Sequence, residues 1–185
     1  AAPATSGETF ENLNPHDGSV ICRVSSSSAE DVERAVSAAR AAQQGWADMT
    51  PVARGDVLRD AALLMRERKE ELAEIVATES GKAHAHALGE TLGAFEQGMF
   101  TAGEGRRYFG RTATSATPHR EAIIVRQPLG VCGLIIAANT PIANVAWKAF
   151  PALMCGNSAI MKCAEDTPGT GWAMAKIFHE AGVPA

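Results

Sequence analysis

The chain has 185 residues, a net charge of −4 and 46% apolar residues, with 17 lysines and arginines against 21 acidic residues. It carries no basic stripe, which argues against nucleic acid as a partner, and no apolar run reaches the roughly 20 residues that span a bilayer. The opening AAPATSGETF lacks the basic-then-apolar order of a signal peptide, and Cys22, Cys132, Cys155 and Cys163 show no C-x-x-C spacing, so reduced thiols and a cytoplasmic location are expected.

Residues 9–24 predict two short strands around Asn14-Pro15-His16-Asp17-Gly18, because proline fixes φ and glycine accepts positive φ. Ser28 to Asp31 resembles a capping box with aspartate in the acidic place, and Val32, Ala35, Val36, Ala39 and Ala42 follow at helical spacing. Thr50-Pro51 opens a second helix through Leu58, Ala61, Leu64 and Met65. Leu72, Ile75 and Val76 mark a third, which stops at Ser80-Gly81. Residues 83–107 predict a long helix, 111–118 a polar loop and 121–126 a strand ended by Pro128.

The densest pattern is 128–168. Val131 to Ile136 and Ser158 to Met161 predict parallel strands covered on both faces, joined by a helix near Pro141. Thr167-Pro168 opens a last helix through Trp172, Ala175 and Phe178. The fold class is therefore α/β: the start of a doubly wound parallel sheet with flanking helices. Two strands are few for such a sheet, so the chain is expected to be a truncated part, residues 1–185 forming an incomplete amino-terminal domain.

Ligands of open α/β sheets bind beyond the carboxyl ends of the strands, where Asn139, Lys162 and Glu165 stand. Asn139 can donate to an oxyanion or cap the helix that follows. Lys162 and Glu165 can together bind a ribose hydroxyl pair, or form a solvated surface pair. Lys148 can face the same cleft or solvent. Cys163 has Lys162 beside it, which favours thiolate, but the cysteines lack a partner base, and a structural role fits them better. His84 and His86, two apart, do not share a helix face and make no metal pair. No glycine-rich phosphate fingerprint is present.

Taken together, these residues resemble the amino-terminal part of the aldehyde dehydrogenase superfamily. The likeness runs through PLGVCGLIIAANTPIANVAWKAFPALMCGNSAIMKCAEDTP, and Thr78-Glu79-Ser80-Gly81-Lys82 is similar to the family's E-S/T-G-K. The resemblance implies that Asn139 is a side-chain oxyanion donor, that Lys162 and Glu165 bind the adenosine ribose, and that Asn139 and Ala164 also belong to the cofactor-binding residues. It implies that Ile136, Ala137 and Ala138 contact the dinucleotide through backbone, and that Lys148 supports proton movement. The implied cofactor is NAD, with NADP as the alternative. The implied partners are an aldehyde substrate and further copies of the complete protein, as a homo-dimer or homo-tetramer joined through a small β oligomerisation element that includes a strand near 119–127.

The implied reaction is NAD(P)-dependent oxidation of an aldehyde to a carboxylate through a cysteine thioester. An acylating relative using coenzyme A or phosphate, and a non-catalytic nucleotide-binding or assembly fragment, are the alternatives. The family's catalytic cysteine and glutamate base fall outside these residues, so the isolated chain is expected to be inactive. Ala137, Ala138, Thr140 and Cys163 depart from the family's proline, tryptophan, bulky residue and proline, which leaves the identity of the aldehyde open.

Overall fold

The computed structural model describes residues 3–184. Strands β1 (Thr9–Leu13) and β2 (Val20–Ser25) pair antiparallel, with an irregularity between Asn12 and Leu13. The turn closes where proline and glycine predicted it: Gly18, at φ 72°, donates its amide to the Asn14 carbonyl at 2.8 Å. Four helices follow: α1 (Ala29–Asp48), α2 (Pro51–Glu67), α3 (Lys69–Ser80) and α4 (His84–Gly103). At the start of α1 the Asp31 carboxylate accepts from the Ser28 amide at 2.9 Å. Thr50 caps α2 by accepting from the Ala53 amide at 3.1 Å, with Pro51 in the first turn. Gly81, at φ 69° in the left-handed region, ends α3. The long helix expected over 83–107 stops at Gly103 and tightens into a 3-10 turn, Glu104–Arg106.

The helices build the core. Helix α4 packs against α2, α3 and α5 (Pro141–Met154). Gly98 lets α4 approach α5: a Cβ there would stand 2.7 Å from the Phe150 ring and 3.0 Å from the Ala62 methyl. Phe150 meets Phe178 edge to face at 5.0 Å, an arrangement aromatic quadrupoles favour. Trp46, buried, donates its indole N–H to the Leu153 carbonyl at 2.9 Å and ties α1 to the end of α5. Arg54, buried with no carboxylate partner among the described residues, donates to the Met154 carbonyl and to the last carbonyls of α1. It thereby satisfies acceptors that a helix terminus leaves free.

Strands β5 (Val131–Ile135) and β6 (Ser158–Lys162) pair in parallel, Val131 with Ser158 through Ile135 with Lys162. Helix α5 joins them, and α6 (Pro168–Glu180) follows. Asn157 fixes the entry to both strands: its side-chain oxygen accepts from the Leu129 and Gly130 amides, while its nitrogen donates to the Ala152 carbonyl. Helices α1 and α5 both pack on this pair. The result is a mixed α/β fold.

Two expectations need correction. Residues 111–118 are not simply a polar loop: β3 (Arg111–Thr114) pairs antiparallel with β4 (Glu121–Ile124). Every residue of this hairpin's strands is exposed, so it is held by backbone bonds and no buried side-chain alternation announces it. The apolar run of β5 is also not covered on both faces. Leu134 and Ile136 are buried, whereas Gly133 is exposed and Ile135 is 72% exposed. Among the described residues the packing elements cover one side of that run only.

Candidate functional site

The parallel register brings the carboxyl ends of β5 and β6 to one edge. Beyond the paired Ile135 and Lys162, the Ile136 amide donates to the Lys162 carbonyl at 2.9 Å. Both chains then leave the sheet, one through Ala137, Ala138 and Asn139 into α5, the other through Cys163, Ala164 and Glu165 into α6. Ligand-binding loops of open α/β sheets lie at such an edge.

On the β6 side, Lys162 Nζ stands 3.1 Å from Glu165 Oε2, and both side chains are largely exposed. Glu165 is held below the ordinary carboxylate pKa, first by a hydrogen bond from its own backbone amide and then by the Lys162 ammonium. An ionised carboxylate and an ammonium therefore point into solvent side by side. They border an open groove along β6 that also passes Ile135, Ala164, Glu79 and Trp172. Ala164 is buried between them. Cys163 faces inward, its Sγ close against Gly171. Burial and then the Glu79 carboxylate push its thiol pKa up, and together they outweigh the lowering influence of Lys162.

On the β5 side, Asn139 is exposed, and among the described residues its side-chain amide has no hydrogen-bond partner. It does not cap α5. Thr140 holds the cap position without a side-chain cap bond, and Glu90 of α4 takes over: its Oε1 accepts from the Ile142 and Ala143 amides at 3.1 and 3.2 Å. The opposite oxygen of Glu90 pairs with Lys82 at 2.5 Å, and Lys82 also donates to the Asn139 carbonyl at 2.9 Å. Lys148, one helical stretch further on, donates to the Ile135 carbonyl. Asn139 and Lys148 do not line the β6 groove. Lys148 adjoins it through the Ile135 carbonyl, and the groove itself gathers only the Lys162–Glu165 side of that edge.

The junction of α3 and α4 holds both loops. Glu79, buried, accepts from the Gly169 and Thr170 amides and the Thr170 hydroxyl at the start of α6. Asn12 of β1, also buried, donates to the Asp166 carbonyl at 3.0 Å and anchors the intervening turn. Spacing did not reveal Glu79, Lys82, Glu90 or Asn12 as site residues. The motif around Ser80-Gly81 was the available signal for the first two. His84 opens α4, with Glu70 and Glu74 as its nearest carboxylates at 3.9 and 3.8 Å.

A mixed α/β fold with charged loops at the carboxyl ends of a parallel strand pair places those loops where open α/β sheets bind their ligands. The aldehyde dehydrogenase family model matches residues 2–185, and the chain belongs to that family. An E. coli NADP dependent enzyme is 34% identical, with a TM-score of 0.97, and is matched over 100% of this chain and 38% of its own. An NAD-dependent benzaldehyde dehydrogenase from Corynebacterium glutamicum is 37% identical, with a TM-score of 0.94, over 100% of this chain and 40% of its own. A betaine aldehyde dehydrogenase from Staphylococcus aureus, in complex with NAD+, is 32% identical, with a TM-score of 0.95, over 99% and 38%. The chain thus spans about two fifths of the length of these structures, among which both NAD and NADP are named.

Proposed function

We propose that this chain is the coenzyme-side portion of an NAD(P)-dependent aldehyde dehydrogenase, whose complete protein oxidises an aldehyde to a carboxylate through a cysteine thioester. The observation that carries the reading is the Ile136–Lys162 backbone bond, which sets Asn139 and the Lys162–Glu165 pair on one strand edge in a chain of this family.

The residues present fit a dinucleotide. A solvent-facing ammonium and an ionised carboxylate 3.1 Å apart offer one donor and one acceptor to a vicinal hydroxyl pair. When bound, the nicotinamide ring supplies the hydride acceptor. Lys162 and Glu165 hold the adenosine ribose, with Ala164 in the wall between them, and the backbone of Ile136, Ala137 and Ala138 lies against the dinucleotide. Asn139 Nδ2 donates to the aldehyde oxygen as negative charge develops there, a contribution of roughly 3–4 kcal/mol for a well-placed donor. Lys148, held on the Ile135 carbonyl, keeps a positive charge beside that oxygen's approach and supports proton movement. The exposed β3–β4 hairpin, with Ile123 and Ile124 outward, serves as the assembly edge between copies.

The test is aldehyde-dependent NADH formation by the full-length protein that contains this chain, compared with Asn139→Ala. The expected result is turnover that falls about 100-fold or more in the variant with coenzyme affinity retained. Full turnover by Asn139→Ala removes the oxyanion assignment, and no aldehyde-dependent reduction of NAD or NADP removes the whole reading.

A further inference from the structure

A donor that must meet a developing oxyanion needs a fixed position, because a misplacement near 1 Å can cost about 100-fold in rate. Asn139 has no side-chain partner among the described residues to fix it, and its residue is exposed. What holds its backbone therefore bears directly on where its amide points. Among the described residues the side chain that holds that backbone is Lys82, which donates to the Asn139 carbonyl at 2.9 Å.

Lys82 is itself held. Its side chain is 19% exposed, and its ammonium is paired with Glu90, whose side chain is 8% exposed. Glu90 is fully engaged: one oxygen takes Lys82, the other takes the amides of Ile142 and Ala143. Both contacts fall on the segment that follows the Asn139 Cα. Lys82 grips the carbonyl that leaves Asn139, and Glu90 grips the first turn of α5, into which that carbonyl leads. A carboxylate at a helix amino terminus is favoured by the amides it meets and by the helix dipole, and in this helix the cap residue Thr140 makes no such bond.

We infer that Lys82 and Glu90 are positioning residues for the oxyanion donor: the pair locks the Asn139–Thr140 peptide and the start of α5, and so aims the Asn139 amide. This rests on the proposed role of Asn139. It gives the Thr78–Lys82 motif a task remote from its own helix, since Lys82 and Asn139 lie 57 residues apart in sequence.

The experiment compares Lys82→Met, Lys82→Arg, Glu90→Gln, Asn139→Ala and the Lys82→Met/Asn139→Ala double variant in the full-length protein. Steady-state turnover and amide hydrogen exchange over 136–143 are read for each. Lys82→Met is expected to lower kcat about 10- to 100-fold with little change in KM for coenzyme, and to speed exchange over 136–143. Lys82→Arg, which still reaches the carbonyl with a charged donor, is expected to recover most of the loss. The double variant is expected to be no slower than Asn139→Ala alone, because a positioning residue has nothing left to position. If Asn139→Ala is slow but Lys82→Met turns over normally, or if the two losses multiply fully, the positioning role is overturned while the donor role stands. If Asn139→Ala itself turns over normally, the donor role falls and the positioning role with it. Should Lys82→Met fail to fold, Glu90→Gln decides. It keeps the shape and the amide-accepting oxygen but removes the negative charge that holds the Lys82 ammonium, and unchanged exchange over 136–143 in that variant overturns the inference.

Discussion

Glu79 and Thr170 meet twice although they lie 91 residues apart: Glu79 Oε2 accepts from the Thr170 amide and from its hydroxyl, each at 2.8 Å. With the Gly169 amide on Oε1 at 2.6 Å, one buried carboxylate satisfies the opening turn of α6. Hydrogen bonds to a charged group contribute about 1.5–3 kcal/mol, and stranding buried donors costs more than the bonds themselves contribute. Glu79→Ala is expected to destabilise the fold by about 3 kcal/mol. Glu79→Gln, which keeps an acceptor but loses the charge facing the helix dipole, is expected to cost about 1 kcal/mol. Urea unfolding monitored at Trp46 and the other tryptophans checks both. Equal midpoints for wild type and Glu79→Ala contradict the capping role.

Acid stability has a separate anchor in Asp31. Its carboxylate accepts from the Ser28 amide and from the amide and hydroxyl of Thr5. The Ser28 amide and then the Thr5 hydroxyl hold its pKa well below the usual carboxylate range. A carboxyl group whose folded pKa is depressed stabilises the fold above its unfolded pKa, near 4, and loses that contribution as pH falls toward the folded value. Asp31→Asn is therefore expected to be less stable than wild type at pH 7 and to show a flatter decline below about pH 4. Thermal midpoints across pH 2–7 provide the comparison. Parallel curves for the two proteins count against any special role of Asp31 in the acid limb.

Much of the fold was legible because its signals are local. Asn14-Pro15 with Asp17-Gly18, Ser28 with Asp31, Thr50-Pro51 and Gly81 each act within a few residues, and each forms the turn, start or stop expected of it. What escaped was non-local or lacked a buried face. The four residues of β3 are exposed and polar or small, so nothing in RTAT separates a strand from a loop until β4 pairs with it. Asn139 fitted the capping rules for α5, yet those amides are taken by Glu90, 52 and 53 residues away, which local spacing does not reveal. The Lys162–Glu165 contact was legible because i,i+3 spacing across a tight turn is short-range. The shift of Cys163 away from thiolate was not, because it depends on burial and on the distant Glu79.

Glycines within one helix separate propensity from packing. Gly93 and Gly98 both lie inside α4, where alanine is favoured over glycine by about 1 kcal/mol. A Cβ on Gly93 meets nothing within 4 Å, whereas one on Gly98 falls 2.7 Å from Phe150 and 3.0 Å from Ala62. Phe150 is fully buried and braced by Phe178, so the ring has no free direction in which to yield. Overpacking costs of about 1–3 kcal/mol then exceed the propensity gain. Gly93→Ala is expected to raise the urea midpoint and Gly98→Ala to lower it, by about 1 kcal/mol in each direction. Two shifts of the same sign contradict the close approach of α4 and α5 at Gly98.

Coenzyme choice, on the proposed reading, turns on Glu165. Its carboxylate is ionised and exposed, held low by its own amide and by Lys162. An ionised carboxylate accepts a hydrogen bond from a ribose 2′-hydroxyl and repels a 2′-phosphate, which favours NAD over NADP. Glu165→Gln removes the repulsion and leaves the Lys162 ammonium without its neighbouring anion, so the remaining charge attracts a phosphate. The NADP/NAD ratio of kcat/KM in the full-length protein is expected to rise about 10-fold, a change of ~1.4 kcal/mol in relative transition-state binding. Most of that shift should appear in KM for coenzyme rather than in kcat, because the ribose lies away from the reacting carbon. Lys162→Met in the same background is expected to reverse the gain, since it removes the cation that the phosphate would meet. A ratio that stays at the wild-type value in Glu165→Gln places the ribose elsewhere on the strand edge and withdraws the carboxylate from coenzyme selection.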